Sequence, residues 1–297
     1  MSICFVVSTE SDEAAAIYEY SHDRISLINN RHFSAPSSDA ETAQRIVEEH
    51  APQFLSRRKQ IVEIKREELQ VGVFHPSIAR PIYPTKRRGL ENRNSHVEPA
   101  VIATIRRDIG LLARNLEQCF DVSSPYEDNF NTFGVSYESI ILFACIGIEN
   151  LFVKILQDNG VRLDRYTTND FIRLNTMMRL GEYEAKLARY PWLTPFAPFR
   201  TWNPAEPTKS LLWYDAYNKL KHDKMNCQNK ATMRNAIDAT LAFWILFHGI
   251  YGSAVSSNFF QRDDDDFRMV RFPNWNYREN YFEAEGGVWS MEFAKIP

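Results

Sequence analysis

The chain lacks the cysteine spacing of a metal cluster or a redox site. Its four cysteines, Cys4, Cys119, Cys145 and Cys227, are scattered and form no Cys-x-x-Cys element, so neither a zinc site nor a disulfide framework is predicted. An excess of charge is also missing. The formal net charge is −3 over 297 residues, which argues against a uniformly basic nucleic-acid binder but leaves room for a local basic groove. The N-terminus has no basic-then-apolar signal pattern, because Glu10, Asp12 and Glu13 arrive too early. Long apolar runs are absent too. The most apolar stretches, residues 140–148 and 241–247, end at Glu149 and His248, short of the roughly 20 residues that span a bilayer. No internal repeat or long low-complexity segment is present. The expectation is a soluble, cytoplasmic protein with no metal, no cofactor and no membrane partner.

What is there suits a globular fold. Hydrophobic residues make up 44% and charged residues 25%, ordinary for a packed domain. A chain of this length buries roughly three quarters of its unfolded surface, and 20 Phe with 13 Tyr predict extensive aromatic packing. Residues 1–8 carry an apolar run, a short strand or a tucked-in arm. Residues 39–69 read as one long polar helix, capped by Ser38 or Asp39 and covered by Glu48, Glu49, Arg57, Arg58, Lys59, Lys65 and Arg66. Pro76, Pro81 and Pro84 then break a loop ending in Lys86-Arg87-Arg88-Gly89, a natural boundary.

Helical spacing returns at 97–120 through Val101, Ile105, Ile109, Leu112 and Leu116. The most apolar helix, 136–157, is closed by Asn159-Gly160, since glycine accepts the left-handed cap conformation. Further helices are predicted at 169–190, 210–224 and 230–254, with a proline-rich connection after Tyr190. The tail alternates over 267–272 and 281–293, the second stretch folding about Gly286-Gly287 as a small β hairpin. The predicted class is all-α: a helical extension and basic loop over 1–95, a helical bundle over 96–258, and a tail with a hairpin over 259–297.

The residues with most chemical potential lie in Trp213-Tyr214-Asp215-Ala216-Tyr217-Asn218-Lys219-Leu220-Lys221-His222-Asp223-Lys224. Asn218 and His222 are four apart and share one helical face, with Tyr214 a turn earlier. Tyr217 and Lys221 form the neighbouring stripe. A histidine beside an amide and several cations can hold a phosphate or act as a general acid/base near neutral pH. The competing reading is a buried hydrogen-bonded pair that locks the helix to its neighbours. Glu149 shares a helical face with Cys145, Ile146, Phe152 and Val153, so it is expected to point partly inward and to need a partner. Lys221 or His222 would supply it.

The loop 80–93, with Arg80, Lys86, Arg87, Arg88 and Arg93, is dense enough to contact phosphate; a solvated loop is the competing reading. The run Asp263-Asp264-Asp265-Asp266 lacks the spaced ligands of a calcium loop and reads as a solvated break. His248 reads as a core histidine. Arg45 and His50 have four residues between them, a match that spacing alone produces by chance.

Several pieces then fall in a recognisable order. These are Asp128-Asn129-Phe130-Asn131-Thr132-Phe133-Gly134, the mid-face acid in Ile146-Gly147-Ile148-Glu149-Asn150-Leu151, Pro198-Phe199-Arg200-Thr201-Trp202, the Tyr217-Asn218-x-x-Lys221-His222-Asp223 element, a long apolar helix and Trp289. Over residues 126–297 the chain resembles the HEPN superfamily, in particular its bacterial members with a Tyr-Asn-x-x-Lys-His-Asp motif. The resemblance implies a HEPN-like bundle in an RNA-directed defence or toxin-type system. RNA, a second copy of the chain or a protein partner in a complex would be its binding partners. Catalytic relatives cut RNA without metal through an arginine and the motif histidine. His222 matches that histidine and Asn218 the following polar position, whereas Tyr217 occupies the place of the arginine. The resemblance thus implies a degenerate or non-catalytic interaction and RNA-binding module. Its alternative is a metal-independent endoribonuclease using His222 with Asn218 and nearby lysines; His222, Asn218 and Glu149 are the candidate catalytic residues. Lys219, Lys221, Lys224, Arg87 and Arg88 are the candidate RNA contacts.

Overall fold

The computed structural model describes residues 1–10, 12–28, 33–55, 60–83, 99–252, 266–284 and 289–297. Helix takes 47% and strand 22%, so the class is mixed α/β and not the expected all-α. The chain divides into two compact units. The first joins Met1–Phe74, Arg80–Gly89 and Trp275–Glu292; the second joins His75–Ala79, Leu90–Asn274 and Phe293–Pro297.

The expected N-terminal helical extension is a sheet. Strands β1 (Ser2–Thr9), β2 (Asp12–Ser21), β3 (Arg24–Leu27) and β4 (Ser34–Pro36) precede helix α1 (Ala40–Phe54) and strand β5 (Ile61–Leu69). They form an antiparallel sheet in the order β4-β3-β2-β1-β5. Alternate side chains serve opposite faces. Phe5, Val7, Tyr18, Ile25 and Leu27 pack on Ala43, Val47 and Ala51 of α1, while Cys4, Val6 and Ile17 pack with Leu69, Tyr83 and Phe282 on the other side. Because β1 is buried on both faces, its sequence is a continuous apolar run without alternation.

The predicted helix 39–69 is two elements. Asp39 caps α1 by accepting from the Thr42 amide at 2.7 Å, and the helix ends at Leu55. Beyond it, Lys65, Arg66, Glu67 and Glu68 belong to β5. That strand is the sheet edge, where charge is tolerated and discourages further pairing. Two short strands follow, β6 (Val73–Phe74) and β7 (Ile82–Tyr83). Of the anticipated basic loop, Arg80 lies over the rings of Trp275 and Tyr281. Lys86, Arg87, Arg88 and Arg93 lie outside the described residues.

In the second unit come α2 (Pro99–Val122), α3 (Val135–Asp158), α4 (Thr168–Phe171) and α5 (Arg173–Met178), then strand β8 (Glu184–Leu187). After it come α6 (Leu212–His222), α7 (Lys224–Cys227), α8 (Met233–Tyr251) and strand β9 (Phe267–Arg271). The helix predicted over 169–190 breaks because Arg179 adopts a left-handed conformation (φ 52°), which ends α5. The chain then enters β8, antiparallel to β9. Among the described residues, α3 alone is long and apolar enough to cross a membrane; here it is the central core helix, packed on α2, α6 and α8. Gly160 follows its cap with φ +79°, as the Asn159-Gly160 pair predicts. The Asn159 amide donates to the carbonyls of Pro76 and Ile155, both at 2.8 Å, and its oxygen accepts from the Ala294 amide.

Helices α3 and α8 approach closely at Gly147, where an added Cβ would stand 2.7 Å from the Phe243 ring tip. Phe243 is buried and has little room to yield. Gly147→Ala is therefore expected to lower stability. Overpacking costs about 1–3 kcal/mol, against the ~1 kcal/mol that alanine gains in a helix interior. Urea denaturation reads the difference; an increase in stability would show that the helices separate freely.

The tail forms no hairpin of its own among the described residues, and Gly286-Gly287 lies outside them. Strand β10 (Tyr281–Phe282) instead pairs in parallel with β7, and β11 (Ser290–Met291) in parallel with β6, completing the first unit.

Candidate functional site

Helix α6 carries the motif and presents its aromatic side to α3. Trp213 is buried, its indole N–H donating to the Pro198 carbonyl at 2.8 Å, with Phe199 edge-on to its ring. The hollow lined by Trp213, Tyr214, Phe152, Phe171, Trp202 and Leu211 has no room for a water molecule. The motif therefore does not open into a ligand cavity there. A groove of about 420 Å³ in the same unit lies where the end of α2 meets the start of α3, and no motif residue lines it.

Glu149 turns inward from α3, as its helical face requires, but neither Lys221 nor His222 pairs with it. The Tyr214 hydroxyl donates to Oε1 at 2.5 Å, and the Tyr217 hydroxyl donates to Oε2 at 3.1 Å. Lys221 joins one step out: its Nζ donates to the Tyr217 oxygen at 3.2 Å and lies 5.2 Å from that ring's centre. Burial and the Glu149 carboxylate both push the two phenols well above the ordinary tyrosine range. They remain protonated donors at any physiological pH. Burial, with Glu149 one turn away, also raises the Cys145 thiol, so it stays in its inert neutral form.

His222 and Asn218 do not meet. His222 ends α6 and is exposed. The Asn218 amide turns back to donate to the Tyr214 carbonyl of its own helix at 3.0 Å. Two of the candidate lysines already have acids: Lys219 pairs with Asp215 at 2.6 Å, and Lys224 with the buried Glu138 at 2.8 Å. Asp215 accordingly raises the pKa of Lys219. The positive charge near the motif is thus largely compensated.

The remaining candidates sit elsewhere. Arg87 and Arg88 fall outside the described residues. Asp266 pairs with Arg189 at 3.0 Å, and the other three aspartates of its run are not described. His248 is half-buried against Trp244, and desolvation, assisted by Arg106, lowers its pKa to about 4. Arg45 bonds Thr42 and His50 bonds Tyr18, so the two do not form a pair. No group of three or more His, Cys, Asp or Glu suited to a metal occurs among the described residues.

The tyrosine partners of Glu149 were missed in the sequence, although a Tyr-x-x-Tyr spacing opposite a mid-helix acid is a usable signal. Three residues apart, the two rings lie on adjacent helical positions and can reach one carboxylate from either side. No family model, curated protein or solved structure matches the chain.

Proposed function

We propose that the chain is a HEPN-like, non-catalytic RNA-binding and docking module of a bacterial defence or toxin-type system. It holds RNA or a protein partner and does not cut. One observation above all supports this reading: both carboxylate oxygens of Glu149 are taken by Tyr214 and Tyr217. The acid that faces the motif is thus occupied in joining two helices. A general base must reach the proton it removes, and His222 stands exposed at the helix end with Asn218 turned away from it. Tyr217, where catalytic relatives carry arginine, serves as part of the same clamp. The half-exposed Phe143 and Ile146 on α3 provide an apolar face for docking or for a second copy of the chain.

The alternative, a metal-independent endoribonuclease using His222, draws support from the accessibility of that imidazole. Incubating the purified chain with structured RNAs in the presence of a chelator separates the two. Intact RNA that shifts in a native gel is the expected result, with His222→Ala behaving as wild type. Cleavage abolished by His222→Ala would replace the binding reading with the enzymatic one.

A further inference from the structure

On the β8–β9 ribbon two like charges stand opposite each other. Lys186 and Arg268 are direct partners in the antiparallel register, so their side chains leave the same face with Cβ atoms roughly 4.5–5.5 Å apart. Ala185, Leu187 and Phe267 are buried on the inner face, which puts both cations outward. Neither has an acidic partner among the described residues. The next pair along, Glu184 and Arg271, adds more positive charge. The Glu184 carboxylate is shared by Arg200 and by Arg271 at 3.2 Å. Lys186, Arg200, Arg268 and Arg271 thus share this strip with Glu184, and Asp266 at its end is paired with Arg189.

Like charges directly across a strand pair destabilise it, and no ion pair among the described residues offsets the repulsion between these two. A local rule broken without structural return is expected where a site serves a ligand. The motif helix, by contrast, has its lysines mostly neutralised. We infer that the outer face of the β8–β9 ribbon, through Lys186, Arg268 and the Arg200–Glu184–Arg271 cluster, contacts the phosphate backbone of RNA. A phosphodiester between Lys186 and Arg268 turns their mutual repulsion into two attractions, and the planar guanidinium of Arg268 can hold two of its oxygens. Such contacts position the strand without reading its sequence. The inference rests on the RNA-binding reading above and moves its main binding surface from α6 to the ribbon.

The test is fluorescence anisotropy of the full chain with a labelled single-stranded RNA, across about 50–200 mM salt, the range where phosphate binding shows. A DNA of the same sequence and a poly-glutamate peptide serve as comparison ligands. Lys186→Thr/Arg268→Thr should weaken RNA binding at every sequence and lower the slope of log K against log salt by about 0.7, the contribution of the one phosphate held between the two cations on a single strand. Lys186→Glu, which sets opposite charges across the strands, should also weaken binding while raising Tm, so reduced affinity cannot be ascribed to misfolding. Equal reductions on RNA and DNA support recognition of the backbone.

Wild-type binding that both ribbon variants retain overturns the inference and leaves the RNA reading standing. Binding abolished in the ribbon variants but kept in Lys221→Ala/His222→Ala supports the ribbon over α6. A wild-type chain that binds no RNA at the lowest salt, or only the acidic peptide, overturns both readings.

Discussion

Replacing Glu149 by alanine is expected to cost about 2–5 kcal/mol of folding stability, enough to unfold a marginal domain. The carboxylate accepts two hydroxyl donors from α6, and a hydrogen bond to a charged group contributes about 1.5–3 kcal/mol. Its removal also leaves the Tyr214 and Tyr217 hydroxyls without an acceptor in a buried setting, and each unsatisfied group costs about 1–3 kcal/mol. Both terms describe the loss of the same two interactions, so they are alternatives and are not added. Glu149→Gln keeps shape and one acceptor oxygen and should fall between wild type and alanine. If Glu149→Ala instead melted like wild type, the acid would be dispensable to the fold and free for chemistry. Thermal and urea denaturation followed by circular dichroism give the answer directly.

Trp213→Ala is expected to have the second large effect, about 3–5 kcal/mol, as for other buried aromatic truncations. The indole fills a region with no space for water, packs edge-on to Phe199 and Tyr214, and satisfies the Pro198 carbonyl. Truncation leaves both a cavity and an unpaired acceptor. His222→Ala, nine residues along the same motif, should stay within about ±0.5 kcal/mol, the usual range for an exposed site. The contrast within one helix separates its structural side from its solvent side. A His222→Ala variant as damaged as Trp213→Ala would mean that the helix end is anchored by that imidazole.

Helices α3, α6 and α8 could be read from the sequence because each advertises itself locally. α3 and α8 are apolar nearly throughout, α6 follows the helical period, and Asn159-Gly160 marks where α3 ends. The sheet could not be read in the same way. In β1, Cys4 and Val6 serve one face while Phe5 and Val7 serve the other, which erases the alternation that identifies a strand. β5 is rich in Glu, Lys and Arg, residues at ease in helices, and only its place at the sheet edge explains them. Strands β10 and β11 join β7 and β6 across some two hundred intervening residues, a pairing that no local pattern encodes.

The candidate site was legible to a similar depth. Helical periodicity turned Glu149 inward correctly, since the face of a residue follows from its position along the helix. Periodicity does not say which side chain of the opposing helix arrives there, and the tyrosines arrived in place of Lys221 or His222. The Lys186–Arg268 opposition was invisible for another reason. It depends on the register of two strands, one of which, β8, lay inside a predicted helix.

The polar core of the motif, Glu149 with its tyrosines, joins α3 to α6 as a structural clamp. A double-mutant cycle between Glu149→Gln and Tyr214→Phe, measured by urea denaturation, tests this most directly. A clamp predicts a coupling energy of about 1–3 kcal/mol, as for residues sharing one hydrogen-bond network. Additivity within about 0.5 kcal/mol, with both single variants near wild-type stability, would contradict it.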